Sequence, residues 1–336
     1  MGQLVNGQWQ TDELLQKTSD GKFVRKASHF RNWITPDGSA GPTGTDGFKA
    51  ESGRYHLYIS HACPWAHRTA IFRKLKGLED IISISSTHWL MGDMGWTFKG
   101  DEDSVQDPIN GADYLHQIYQ LADPDYTGRA TVPILWDKQR ETIVSNESAE
   151  IIRMFNSAFD QLGAAQGDYY PVELRQEIDQ INERVYVSLN NGVYKSGFAQ
   201  SQEAYEEAVF PLFETLEWLE NRLSENRYLV GSVLTEADWR LFTTLIRFDP
   251  VYYGHFKCNL KRIVDYPNLY NYLRELHQMD GVRETVNMQH IKRHYYGSHD
   301  SINPTRIVPV GPLQDLDAPH DRDRFEKVAI PVTAGI

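Results

Sequence analysis

Cys63 stands in His61-Ala62-Cys63-Pro64-Trp65, after an alternating run from Tyr55 to Ile59 and before a helical one. A thiol there lies at a helix N-terminus, where unpaired N–H groups and the positive end of the dipole favour a thiolate, the form that attacks sulfur. An unperturbed thiol titrates at about pH 8.5, so a fall of about two units leaves it mostly ionised at neutral pH. Ala66, not a second cysteine, follows three residues on. A mixed disulfide at Cys63 must therefore be cleared by an outside thiol. Taken alone, a single cysteine is more often an inert core residue; the strand-loop-helix setting favours the nucleophile.

Two further pairs carry chemistry of their own. Pro133 follows Val132 just before a strand. It is either an ordinary strand-start proline or the site of a cis bond that sets the Val132 N–H and C=O beside an extended peptide. Glu147-Ser148 opens a helix. Ser148 and nearby N–H groups suit a carboxylate while Glu147 suits an ammonium, or the pair simply caps the helix. Thiol, peptide edge and zwitterion clamp together point to glutathione as the ligand.

The elements that must position these groups follow from periodicity. Strands are expected at Tyr55–Ile59, 81–85, 132–136 and 142–144, the last two close enough for a hairpin across 137–140. A helix runs from Pro64 to a stop at Gly77, the usual proline-in, glycine-out asymmetry. Helical spacing recurs at Leu115, Ile118, Tyr119 and Ala122, and again at Ile151, Ile152 and Phe155. The order β-α-β-α-β-β-α is a thioredoxin-type arrangement. Beyond residue 170 the pattern is all helical, with segments at 172–190, 202–223, 236–247 and 266–278 and a capping box at Thr235–Asp238, stapled by Leu234. The fold class expected is α/β plus all-α. Its parts are an N-terminal arm at 1–50, a thioredoxin-like domain at 51–155, a linker at 156–169, a helical domain at 170–296 and an extension at 297–336. The arm and the extension, the latter carrying five prolines, read as irregular wrapping segments.

Composition excludes other classes. The chain has 336 residues with 34 Lys plus Arg against 46 Asp plus Glu, a net charge of −12, which makes a poor phosphate binder, so no nucleic-acid partner is expected. No run of about 18 apolar residues exists, so no membrane span is expected. Two cysteines, Cys63 and Cys258, do not make a secreted disulfide framework. The first residues lack a signal peptide's basic and apolar regions, and Asn6 breaks the myristoylation pattern; a cytoplasmic setting is expected. The 41–44 glycine cluster has neither a P-loop nor a dinucleotide fingerprint. His61, Cys63 and His67, or His290 and His294, do not complete a four-ligand site, so no metal is expected.

The motifs Cys63-Pro64-Trp65-Ala66-His67-Arg68, Thr131-Val132-Pro133 and Ser145-Asn146-Glu147-Ser148 resemble those of the glutathionyl-hydroquinone reductases, the Xi class of the glutathione transferase superfamily. The resemblance extends through Arg31-Asn32-Trp33, Gly41-Pro42-Thr43-Gly44, 190–199, 247–252, 290–295 and Ile302-Asn303-Pro304. It covers all but about the last dozen residues, and the Asn-Asn-Gly-Val-Tyr-Lys segment at 190–195 is what separates this class from other cysteine transferases. It implies Cys63 as nucleophile, Trp96 stacking on glutathione, and Arg129, Ala130, Thr131, Val132, Glu147 and Ser148 binding it. It further implies Tyr194 as proton donor or acceptor near the quinol, with Tyr252 and Tyr295 hydrogen-bonding the sulfur. It implies a metal-free homodimer using glutathione as co-substrate, with the insertion at 90–111 shaping the substrate mouth. Two other readings stand beside it: a general glutathione-dependent thioltransferase or dehydroascorbate reductase, which does not need Tyr194, and a transferase-like interaction module without catalysis.

Overall fold

All five side chains of Tyr55–Ile59 are buried, so this strand is covered on both faces and sits inside its sheet. The computed structural model describes residues 2–11, 20–100 and 106–331. Parts of the arm, residues 101–105 of the insertion and the end of the extension lie outside the described residues. The strands are β1 (Gly2–Val5), β2 (Gln8–Thr11), β3 (Trp33–Thr35), β4 (Gly47–Lys49), β5 (Tyr55–Ile59), β6 (Ser83–Ser86), β7 (Ile134–Asp137) and β8 (Thr142–Ser145). The last four form one sheet in the order β6-β5-β7-β8, with β5–β6 parallel and the other pairs antiparallel. Strand β6 starts two residues later than its hydropathy suggests, because the N–H groups of Ile81 and Ile82 both turn back to the Leu78 carbonyl.

Three helices alternate with these strands: α1 (Pro64–Leu75), α2 (Leu115–Ala122) and α3 (Ser148–Ser157). Helix α1 has Pro64 in its first turn, and Gly77 just past its end takes φ +60°, a left-handed value that glycine adopts freely. Helices α1 and α3 pack on each other. Arg54, just before β5, donates to both carboxylate oxygens of the fully buried Asp137 on β7, and pairing of this kind is what makes a buried charge tolerable.

The arm is not wholly irregular, contrary to its composition. Asn6 and Gly7, at φ +46° and +71°, make a two-residue turn between β1 and β2, and Asn-Gly is the favoured pair for such a turn. The hairpin is tied down through Leu4 and Gly128, which exchange N–H···O=C bonds at 2.8 and 2.9 Å. Further on, Asn32 N–H donates to Val144 O, and Phe30 and Asn146 bond in both directions. The outer edge of β8 is thus covered by the arm rather than left open.

The second unit comprises Gln16–Arg25, Gly167–Glu284 and His299–Ile336. Its helices are α4 (Arg175–Val185), α5 (Gly192–Gly197), α6 (Gln202–Glu225), α7 (Glu236–Arg247) and α8 (Pro267–Gln278), with π-helical turns at Tyr186–Asn190 and Phe248–Tyr252. Every residue of α7 is buried. Its capping box forms as expected: Asp238 accepts from Thr235 N–H at 2.8 Å, and also from Leu229 N–H and the Tyr272 hydroxyl. Burial outweighs these bonds and pushes the Asp238 carboxyl up to about 6. The extension is pinned by the buried Arg322, which donates to the carbonyls of Leu223 and Arg227 at 2.8 Å. A final helix, α9 (Met288–Ser298), groups with the first unit, which comprises Met1–Leu15, Lys26–Gln166 and Thr285–Ser298. No helix among the described residues is long and apolar enough to cross a membrane.

Fully buried His56 on β5 makes the first unit acid-sensitive. Its Nδ1 is hydrogen-bonded to Ser83 Oγ at 2.7 Å, and burial holds the imidazole down to about 4. Unfolded, the ring titrates at about 6.5, so between those values the unfolded chain gains a proton that the fold refuses. Stability from this group is full above the unfolded value and is lost as pH falls towards the folded one. The stability difference between wild type and His56→Gln, measured by urea unfolding, should shrink by about 2 kcal/mol from pH 7 to pH 5. An unchanged difference would show that His56 takes no part.

Candidate active site

Cys63 is the N-cap of α1, half-buried, with its thiol 3.5 Å from the Val132 carbonyl. The Val132–Pro133 bond is cis, as one of the two readings of that pair requires. Cys258 stands in contrast: it is fully buried, and burial pushes its thiol up to about 12. Of the two, only Cys63 has both a helix end and access.

Glu147 is the N-cap of α3, its Oε1 accepting from Ala149 N–H at 3.1 Å, while Ser148 is buried in the first turn. The helix-closing role is therefore real, and it also presents a carboxylate at the start of α3. Its other oxygen accepts from Ser28 Oγ at 2.9 Å, so an arm residue that sequence reasoning passed over holds the Glu147 carboxylate. Helix α3 is held to the arm again where Arg31 Nε donates to Glu150 at 2.7 Å.

Tyr119 on α2 is the second residue missed. Read as one apolar position in a helical period, it is fully buried, yet its hydroxyl donates to Thr131 O at 2.8 Å and accepts from Thr131 N–H and Asn146 Nδ2. One phenol thus fastens the loop carrying Thr131 and Val132 to the loop carrying Asn146 and Glu147 at the start of α3. The only signal available was a tyrosine where leucine would serve the helix equally well. Arg129 and Ala130 lie half-buried in the first of these loops, and the Arg129 carbonyl accepts from Tyr126 OH at 3.4 Å.

Trp96 and Tyr295 are both buried and are linked through α9. His294, next to Tyr295, stacks on the Trp96 ring at 4.6 Å between centroids and 23° between planes. Its Nδ1 bonds to the Trp89 carbonyl at 2.9 Å, fixing the ring. Also in this unit, His67 Nε2 is bonded to Thr285 Oγ1 at 2.8 Å. Among the described residues no group of three or more His, Cys, Asp or Glu could hold a metal.

The second unit brings Tyr194 and Tyr252 together, their ring centroids 6.2 Å apart. Tyr252 is fully buried and stacks on Phe256 at 5.5 Å, whereas Tyr194 is half-buried on α5. Each follows or ends a π-helical turn, a rare backbone form that often marks functional positions. A cleft elsewhere in this unit, lined by Glu177, Arg184, Trp218 and Arg222, contains none of the expected site residues.

A β6-β5-β7-β8 sheet with a cysteine capping its first helix and a cis proline heading β7, accompanied by an all-helical unit, is the arrangement of a glutathione transferase. The glutathione S-transferase N-terminal domain model matches residues 62–158 and the C-terminal domain model residues 202–275. The chain is 59% identical over 324 residues to the glutathionyl-hydroquinone reductase YqjG of Escherichia coli, covering 96% of this chain and 99% of that protein. It is 58% identical to the glutathionyl-hydroquinone reductase PcpF of Sphingobium chlorophenolicum, over 94% and 98% of the two chains. The glutathione-bound structure of the E. coli protein superposes with a TM-score of 0.90, over 96% of this chain and 100% of that one. The Xi glutathione transferase of Phanerochaete chrysosporium, 52% identical, gives 0.85 over 91% and 97%. The chain belongs to the glutathionyl-hydroquinone reductases, the Xi class of the glutathione transferases.

Proposed function

We propose that this chain reduces S-glutathionyl-hydroquinones to hydroquinones through a mixed disulfide between Cys63 and glutathione. The observation that carries the mechanism is the accessible Cys63 thiol at the start of α1 beside Val132, with the chain's other cysteine buried and its thiol held protonated. The substrate's glutathionyl part lies along Val132, its amino-acid head at Glu147 and Ser148 with Arg129, Ala130 and Thr131 alongside, and Trp96 against it. A carbon leaving group is poor, so the ring first takes a proton at the sulfur-bearing carbon, becoming the keto tautomer with Tyr194 as acid. The Cys63 thiolate then attacks the glutathionyl sulfur. The S–S bond forms as the C–S bond breaks, the electron pair returns to the ring, and the enolate oxygen regains a proton to give hydroquinone. Tyr252 and Tyr295 donate to the sulfur. A second glutathione, as thiolate, attacks the mixed disulfide and leaves as oxidised glutathione, freeing Cys63. The ring carbon is reduced from C–S to C–H while the substrate's thioether sulfur and the thiol of one further glutathione become one disulfide, so the balance closes without metal or a further cofactor. A homodimer and a reducing, cytoplasmic setting belong to the same reading.

The test offers a glutathionyl-hydroquinone and glutathione to the full-length chain and follows free hydroquinone and oxidised glutathione, expected in equal amounts. Efficient reduction of a small glutathione mixed disulfide with little hydroquinone released would make the chain a thioltransferase instead. Turnover of neither would leave an interaction module.

A further inference from the structure

Residues 20–25 of the arm belong to the helical unit, and there they converge on Tyr194. The Gln200 N–H donates to Gly21 O at 3.2 Å. Phe23 stacks on Phe198 at 5.6 Å and on Tyr194 at 6.3 Å. Arg25 lies over the Tyr194 ring itself, its guanidinium carbon 4.8 Å from the centroid, and its Nε donates to Asn191 Oδ1 at 2.8 Å. The Asn191 carbonyl accepts from Lys195 N–H at 2.9 Å, so Arg25 is fastened to the first turn of the helix that presents Tyr194.

From this arrangement we propose that Arg25 is a positioning residue for hydroquinone release, orienting Tyr194 and stabilising the negative charge its phenol gains on giving up a proton. The inference rests on the reading of Tyr194 as the acid. A cation over an aromatic face is already attracted to the neutral ring, and the attraction grows as the ring becomes anionic. Phe198, Phe256 and Tyr252 also lie against the Tyr194 ring, with Lys195 next in the chain. Arg25 adds a cation over the face of the ring. Because Arg25 is exposed, screening keeps its effect modest, roughly fivefold to tenfold in rate.

The experiment uses the full-length chain with glutathione saturating. Hydroquinone release is measured for Arg25→Gln and Arg25→Lys, each in the wild-type and Tyr194→Phe backgrounds. Each rate is read relative to reduction of the mixed disulfide of glutathione and 2-mercaptoethanol, which needs Cys63 but no ring acid. Arg25→Gln is expected to lower kcat for hydroquinone release roughly fivefold to tenfold with KM within about twofold. Arg25→Lys, which keeps the charge, should restore most of it, and Arg25→Gln should cost nothing further once Tyr194 is phenylalanine. Equal losses in both backgrounds, a change in KM alone, a lysine variant as slow as glutamine, or parallel loss of both activities would each overturn the proposal. If the wild-type chain reduces the mixed disulfide but releases no hydroquinone, the functional reading falls and takes this inference with it. If wild type and Arg25→Gln release hydroquinone equally fast, only the inference falls.

Discussion

Cys63→Ser is expected to lose hydroquinone release by about a thousandfold or more, and mixed-disulfide reduction with it. A hydroxyl at the N-cap of α1 occupies the same place, but a serine oxygen is neither ionised near neutral pH nor a good nucleophile towards sulfur. Both activities pass through a bond at that sulfur, so they must fail together. Under limiting glutathione the wild-type chain should carry a glutathione adduct on the peptide containing Cys63, visible by mass spectrometry and removed by added thiol. Cys258→Ala should still form this adduct, because Cys258 is buried with its thiol protonated. Retention of full activity by Cys63→Ser, or an adduct that maps to Cys258, would sink the mechanism.

Tyr194→Phe should separate the two activities. Positioned proton transfer is worth roughly a hundredfold to ten-thousandfold, so hydroquinone release should fall by about that much. Reduction of a small glutathione mixed disulfide has a thiol leaving group and no ring to protonate, so it should change by less than about threefold. The ring itself is kept, and with it the contacts to Phe23, Phe198 and Phe256. The loss would therefore be that of the hydroxyl. Should both activities fall alike, Tyr194 holds the site together rather than serving as acid. Should neither fall, the acid lies elsewhere.

Much of this was legible because local signals agreed. The fully buried β5, proline and glycine at the two ends of α1, and the Thr235–Asp238 box each follow from a few adjacent residues. What stayed hidden depends on partners far along the chain. The arm's pairing with β8 joins Phe30 and Asn32 to Asn146 and Val144, and strands of three or four residues show too little alternation to reveal themselves. The β1–β2 hairpin is the exception, since Asn6-Gly7 is a local turn signal, set in a stretch whose glycine and polar content otherwise reads as irregular. Residues 172–190 read as one helix because hydropathy does not distinguish an α-helical turn from the π-helical turn at Tyr186–Asn190. Among the candidate residues, Cys63 is marked by its strand-loop-helix setting, whereas Val132-Pro133 and Glu147-Ser148 read equally well as local structure until they are taken together with it. Tyr119 and Ser28 act through a single hydroxyl each, and no period or motif marks them.

The two stretches matched by the generic domain models, 62–158 and 202–275, sort the residues with proposed roles. Cys63, Trp96, Arg129, Val132, Glu147 and Ser148 all fall within the first. Tyr194 falls in the gap between the two, Tyr295 beyond the second, and Ser28 and Arg25 ahead of the first; of the tyrosines with proposed roles only Tyr252 lies within a matched stretch. On the proposed reading, the groups that handle the thiol lie inside the first matched stretch, whereas most of those that would serve cleavage of the carbon–sulfur bond lie outside both.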